Sequence, residues 1–221
     1  MKLLLTSAGL KNPSIERALV ELTGKPVADT DALYIPTALY GHPNAGPRQA
    51  WRCLSGEETR APLAHVGWKS VGVLELTALP SLPEDTLLPL VRSADVLLAE
   101  GGDAAYLAHH MRLSGLAELL PALDAVWVGL SAGSLVMTPR IGSDFVHWKS
   151  PEGDRTLGVV DFSIFPHVDH PDLPNNTMAA AERWAAEIGG PAYAVDDETA
   201  IRVVDGAVDV VSEGAWTLFN A

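Results

Sequence analysis

Ser131 stands between two glycines in Gly129-Leu130-Ser131-Ala132-Gly133-Ser134, and a serine so placed is a candidate nucleophile. The apolar run Ala125-Val126-Trp127-Val128 before it reads as a buried strand, and Leu135-Val136-Met137 follows it, so Ser131 falls on a strand-to-helix turn. Small residues two before and two after the serine let the backbone fold sharply there and leave the hydroxyl exposed at the tip. The chemistry would be acyl transfer. A serine is a weak nucleophile at neutral pH unless a base takes its proton, so this elbow needs a histidine, and the histidine needs a carboxylate to orient it.

The chain offers seven histidines. His167 leads, because it ends the β-like run Leu157–Phe165 through Pro166, and residues at strand ends of an open α/β sheet converge on one crevice. His170 is its neighbour in the same loop, and His109 and His110 follow the Gly101-Gly102 turn. Two carboxylates compete for the third place: Asp144, shortly after the serine, and Asp197, in Val195-Asp196-Asp197-Glu198-Thr199. Spacing leaves both open. For a developing oxyanion the backbone N–H of Ala132, directly after the serine, is one candidate donor. Gly102 is the other, since glycine permits close backbone approach to a ligand. Glu100-Gly101-Gly102-Asp103 carries two acids and no lysine, which argues against a phosphate loop. His167, Asp169, His170 and Asp172 cluster closely enough to suggest zinc, but no second histidine pair has a recognised ligand spacing. Neither a metal nor another cofactor is expected.

The elements that must position these residues alternate strand with helix, the pattern of a parallel sheet with helices on both faces. Strands are expected at Leu3–Thr6, Ala32–Ile35, Ser70–Leu76 and Asp95–Ala99, then at the elbow run and Leu157–Phe165. Tyr193–Val195, Ala200–Val204 and Val208–Ser212 follow, the last two joined by a hairpin at Asp205-Gly206. Helices are expected at Ser14–Leu22, Arg48–Leu54, Asp85–Arg92, from Tyr106–Met111, at Leu116–Leu123 and at Met178–Ile188, with a loop from Tyr40 to Pro47.

With 221 residues and 48% apolar content, the chain is expected to form one α/β domain, residues 1–221. No uninterrupted apolar run is long enough to span a bilayer. A net charge of −13 disfavours nucleic acid and anionic membranes as partners, because phosphate binding needs Lys and Arg patches. The single cysteine, Cys53, cannot form an intramolecular disulfide, and a cytoplasmic location is expected. Six tryptophans would allow an apolar interface and a homo-oligomer.

Several ordered blocks resemble the S51 serine peptidases, which include peptidase E (α-aspartyl dipeptidase) and cyanophycinase. They are Leu3-Leu4-Leu5-Thr6-Ser7, Tyr34-Ile35-Pro36-Thr37-Ala38, Gly101-Gly102-Asp103, the Gly129–Ser134 elbow, Leu157–His167 and Asp197-Glu198-Thr199-Ala200-Ile201. The resemblance implies a class I glutamine-amidotransferase-like α/β fold: a mostly parallel sheet flanked by helices on both faces. It further implies Ser131 as nucleophile, His167 as general base, and Gly102 and Ala132 as oxyanion donors. Family members differ in the third triad residue. One pattern uses an aspartate shortly after the nucleophile, near which Asp144 stands; the other uses a glutamate from a late Asp-Glu-x-Thr-Ala loop, where Asp197 falls in the glutamate's place and the surrounding block matches better. Two departures bear on substrate. The family's Gly-Gly-Asn turn is Gly-Gly-Asp here, which puts Asp103 beside the site and makes it, with Arg183, a candidate substrate-binding residue. In place of an Arg-rich segment holding an acidic side chain, residues 171–178 carry no arginine and only Arg183 follows.

The expected activity is hydrolysis of short peptides, including Asp-X dipeptides, through a Ser-His-Asp triad and an acyl-enzyme intermediate. Its alternatives are a non-catalytic small-molecule binding or sensing protein on the same fold, or a hydrolase of another acyl bond.

Overall fold

The computed structural model describes residues 1–57, 63–83 and 85–221. In chain order its strands are β1 (Lys2–Thr6), β2 (Asp31–Ile35), β3 (Ser70–Val73), β4 (Val96–Ala99), β5 (Val126–Leu130), β6 (Ser163–Phe165), β7 (Ala192–Val195), β8 (Thr199–Val204), β9 (Ala207–Ser212) and β10 (Trp216–Phe219). The helices are α1 (Pro13–Thr23), α2 (Thr37–Gly41), α3 (Pro47–Ser55), α4 (Leu87–Ser93), α5 (Ala104–Leu113), α6 (Leu116–Leu119), α7 (Ala132–Leu135) and α8 (Met178–Ile188). No helix among the described residues is long and apolar enough to cross a membrane.

Seven strands form the main sheet in the order β3-β2-β4-β5-β1-β8-β9. The first five run parallel, and β8 and β9 complete it antiparallel. Alternation along each strand divides the apolar residues between two layers. Leu3, Leu5, Leu97 and Trp127 pack with Leu107 and Met111 of α5, Leu135 of α7 and Val91 of α4. Leu4, Tyr34, Leu98 and Val128 face the other way, onto Ile15 and Leu19 of α1 and Ala50 of α3. Both faces are therefore covered, as the strand–helix alternation predicts. A second sheet, β10-β7-β6, packs Phe165 against Trp184 and Ala181 of α8.

Local chemistry sets the helix ends. Asn12 Oδ1 accepts the N–H of Ile15 at 3.0 Å, Pro13 begins α1, and Gly24 closes it in the left-handed region at φ 72°. The Asp205-Gly206 hairpin has φ of 48° and 88°, the mirror-image turn that matches strand twist.

Four expectations need correction. The β-like run Leu157–Phe165 is a strand only over Ser163–Phe165. The N–H groups of Leu157, Gly158 and Val159 go instead to the carbonyls of Val136, Thr138 and Met137 beyond α7, so this stretch runs as irregular chain, with Leu157 and Val159 half-buried against the core and Gly158 and Asp161 exposed. The strand expected over Ser70–Leu76 pairs only to Val73, after which Leu74 and Leu76 turn into the core. Tyr40 and Gly41 close α2 rather than open a loop. Strand β10 lies outside the expected strands: Trp216 is exposed, Leu218 is half-buried, and the segment lacks a buried apolar face.

Candidate active site

Register brings the candidate residues to one edge of the sheet. Thr6 pairs with Leu130, Leu5 with Gly129, Ala99 with Gly129, and Ile35 with Ala99, so β1, β2, β4 and β5 all end level. Ser131 follows β5, Ser7 follows β1, and Gly101-Gly102 follows β4 after Glu100. Because β8 runs antiparallel to β1, with Ala200 opposite Thr6, the loop carrying Asp197 starts β8 at this same edge.

The elbow at Ser131 has φ 49° and ψ −111°, a conformation sparsely populated by residues other than glycine, which costs on the order of 1–3 kcal/mol. Its surroundings hold it there. The Ser131 N–H donates to the Thr6 carbonyl at 3.0 Å and the Ser134 hydroxyl to the same oxygen at 2.7 Å. The Thr6 hydroxyl donates to the Gly129 carbonyl at 2.6 Å, and the Trp127 indole N–H to the Gly133 carbonyl at 2.8 Å. The two flanking glycines are required by contact: a Cβ on Gly129 would sit 2.4 Å from the Gly133 oxygen, and one on Gly133 2.1 Å from the Ala99 oxygen.

The histidine and the late aspartate meet through the small sheet. Strands β6 and β7 run parallel with Phe165 opposite Ala194, so His167 and Asp197 leave neighbouring strand ends together. His167 Nδ1 lies 2.6 Å from Asp197 Oδ1. The His167 backbone, at φ 56°, is fixed by its N–H, which donates to the Ser7 hydroxyl at 2.7 Å. Burial alone would push the Asp197 carboxyl up; the hydrogen bond from His167 and the positive potential of His167, His170 and Lys11 outweigh it and hold the group below the usual aspartate value. An ionised carboxylate only accepts, so the shared proton resides on Nδ1 and Nε2 is left as the basic nitrogen. His167, His170, Asp197 and Lys11 line a cavity of about 540 Å³ with Leu130, the residue before the serine.

The turn after β4 stands against the elbow. A Cβ on Gly101 would lie 3.6 Å from the Ser131 Cβ. Gly102 has φ 134°, and a Cβ there would come within 2.2 Å of the Ala38 carbonyl oxygen in α2, so only glycine fits. Among the described residues the N–H groups of Gly102 and Ala132 make no hydrogen bond. Below them, buried Glu100 accepts from the Tyr34 hydroxyl at 2.9 Å and from the Gly101 N–H at 3.1 Å, which fixes the turn. Burial, and then the charge of Glu100, push the Tyr34 hydroxyl far above its ordinary value.

Other candidates lie apart from this cluster. Asp144 sits exposed in a 3-10 turn and lines a cavity of about 400 Å³ with Arg183, Asn176 and Glu187, and with neither His167 nor Asp197. The Arg183 guanidinium donates to the Ala179 carbonyl of its own helix at 3.0 Å. Asp103 is fully buried, and its carboxylate is filled by backbone N–H groups: Tyr106 at 2.7 Å on one oxygen, His147 at 2.8 Å and Trp148 at 2.6 Å on the other. It caps α5 and ties the 147–148 loop beside Gly102, a double task that takes two accepting oxygens. Among the described residues no group of three or more His, Cys, Asp or Glu side chains could hold a metal ion.

Sequence reasoning passed over Ser7 and Asp196 as working residues. Asp196 shapes the late loop by accepting from the N–H groups of Glu198 at 3.1 Å and Ala215 at 2.5 Å and from the Thr199 hydroxyl at 2.6 Å. Its position beside Asp197 in an acidic run was the available signal. For Ser7 it was the Leu3–Ser7 block.

The fold has solved counterparts. A Listeria monocytogenes EGD-e protein named for peptidase E is 18% identical, with a TM-score of 0.66 over 96% of this chain and 98% of that one. A peptidase from an acI-B1 Actinobacterium is likewise 18% identical, with a TM-score of 0.64 over 100% of this chain and 94% of that one. At such identity these neighbours speak to the fold. No curated protein sequence matches this chain. The pattern of Peptidase family S51, however, matches residues 3–211, and the chain belongs to that family.

Proposed function

We propose that this member of a peptidase family is a serine-type dipeptidase acting on short peptides. Ser131 Oγ attacks the scissile carbonyl while His167 Nε2 takes its proton, and Asp197 steadies the imidazolium that forms. The N–H groups of Gly102 and Ala132 stabilise the tetrahedral oxyanion. The amine leaves with the proton returned by His167, and water then releases the acyl group by the reverse sequence. The observation that carries this reading is the 2.6 Å contact between His167 and Asp197, at the sheet edge where the strained Ser131 elbow emerges. Asp103 enters it as the cap that steadies Gly102.

For the acidic side chain of an Asp-X substrate the candidate cations are Lys11, in the cavity with His167, and Arg183, in the separate cavity that Asp144 lines. The test is a panel of Asp-X and neutral dipeptides with wild type and Ser131→Ala, together with labelling by a fluorophosphonate. Wild type is expected to label and to cleave, and Ser131→Ala to do neither. Equal cleavage by both proteins would overturn the assignment, and an unlabelled, inactive wild type would favour a binding protein on this fold. An Asp-X preference lost in Arg183→Ala or in Lys11→Ala identifies the cation responsible.

A further inference from the structure

His170 faces the oxygen of Asp197 that His167 leaves unused. Its Nε2 lies 3.5 Å from Asp197 Oδ2, while His167 takes Oδ1. The other ring nitrogen decides what Nε2 carries. His170 Nδ1 accepts the backbone N–H of Asp172 at 3.1 Å, and because an amide only donates, Nδ1 bears the lone pair and the proton sits on Nε2. The loop is curled to deliver both rings. His167 and Asp169 have φ of 56° and 55°, Asp169 Oδ1 accepts the Met178 N–H at 3.3 Å, and the two imidazoles stand edge to face with centroids 6.1 Å apart.

We propose that His170 is a positioning residue: its Nε2–H holds Oδ2 of Asp197 so that Oδ1 stays aimed at His167 Nδ1. This rests on the reading of Ser131, His167 and Asp197 as the triad. A carboxylate is otherwise poorly fixed, since its terminal torsion is broad and roughly two-fold. In the Michaelis complex the 3.5 Å contact shortens, as loosely made contacts of free active sites do on substrate binding. Among the described residues the charged and titratable groups around Asp197 are His167, His170 and Asp172 from one loop, Lys11 from the turn after β1, and Asp196 and Glu198 on either side of it in its own loop. Of these, the two histidines approach the carboxylate oxygens directly.

The test compares His170→Phe, which keeps a ring but removes the donor, with His170→Gln, which keeps a donor at similar reach. His170→Phe is expected to lower kcat on the order of tenfold with KM nearly unchanged, the scale of a small misplacement of a catalytic group. It should also move the acidic limb of kcat/KM to higher pH, because Asp197 relieved of one donor gives more of its charge to the His167 imidazolium. His170→Gln should restore both. Nitrogen-15 titration of the imidazoles supplies a readout free of activity: His170 should show the Nε2–H tautomer, and His167 should titrate higher in His170→Phe. An unmoved limb with equal losses in both variants, or a His170 carrying its proton on Nδ1, overturns the proposal. The triad reading fails separately, through fluorophosphonate labelling and Ser131→Ala.

Discussion

The Ser7 hydroxyl accepts the backbone N–H of His167 at 2.7 Å, while the carbonyl of Thr6 next to it receives the N–H of Ser131 at 3.0 Å. The end of β1 thus holds the proposed nucleophile and the proposed base from consecutive residues. Ser7→Ala deletes one of these ties without touching a reacting atom. A donor left without its partner costs about 1–3 kcal/mol. The expected outcome is a folded protein whose kcat drops on the order of tenfold, since each 1.4 kcal/mol is a factor of ten, with KM little changed. Steady-state kinetics beside a thermal melt checks it; an unchanged kcat would show that β1 does not steady His167.

Asp197 and Asp144 separate in the same assay. Asp197→Asn should lower kcat by about four orders of magnitude, the scale of losing a triad orienter, and Asp144→Asn by no more than a few-fold. Comparable losses in the two variants would remove Asp197 from its role. The same carboxyl predicts a pH dependence of stability. Its folded-state pKa lies below the unfolded value, so it contributes stability that is present above the ordinary aspartate range, roughly pH 4 and upward, and is lost as pH falls through the lowered value. Tm measured against pH should therefore show wild type ahead of Asp197→Asn near pH 6, with the gap closing in acid. A constant gap would mean that the carboxylate is not selectively stabilised in the fold.

Much of the chain was legible because residue type and geometry coincide. Asn12, Pro13 and Gly24 announce α1 at both ends, and Asp205-Gly206 announces its hairpin. At the elbow, contact distances give the reason for the sequence: neither Gly129 nor Gly133 has room for a methyl group. What was not legible depends on partners far along the chain. Leu157–Val160 has strand-like composition, but the carbonyls of Val136, Met137 and Thr138, just beyond α7, accept its hydrogen bonds, and no local pattern encodes that. The choice between Asp144 and Asp197 turns on the pairing of β6 with β7, two short strands brought together by α8. Asp103 misled as a charge beside the site, because its three backbone donors come from residues as distant as Trp148.

Glycine contacts around the serine predict a graded response. Gly133→Ala would force a methyl group against the Ala99 carbonyl, and Gly102→Ala against that of Ala38, the second also at a φ of 134° that alanine rarely adopts. Both clashes are with backbone, so neither is relieved by a side-chain rotation. A loss of about 3 kcal/mol, at the upper end of overpacking penalties, is expected for each in urea denaturation. Gly24→Ala, at φ 72° with nothing within 4 Å, should cost about 1 kcal/mol. Equal costs at all three positions would show that close approach is not what selects glycine at the elbow.

Asp103→Asn tests whether the oxyanion turn and the 147–148 loop are one unit. The aspartate offers one oxygen to the Tyr106 N–H and the other to the N–H groups of His147 and Trp148. An asparagine has a single accepting oxygen, and its NH₂ group must face backbone donors whichever way it turns. Either α5 loses its cap or the loop loses its tether, at about 1–3 kcal/mol for each N–H left unpaired in the interior. Trp148, stacked edge to face on Tyr106 with centroids 5.4 Å apart, would report release of the loop. The expected result is a lower Tm, faster proteolytic cleavage between residues 142 and 150, and a reduced kcat, because Gly102 is the next residue in the turn. Faster cleavage with an unaltered kcat would separate the loop from the oxyanion donors and leave Asp103 a purely structural cap.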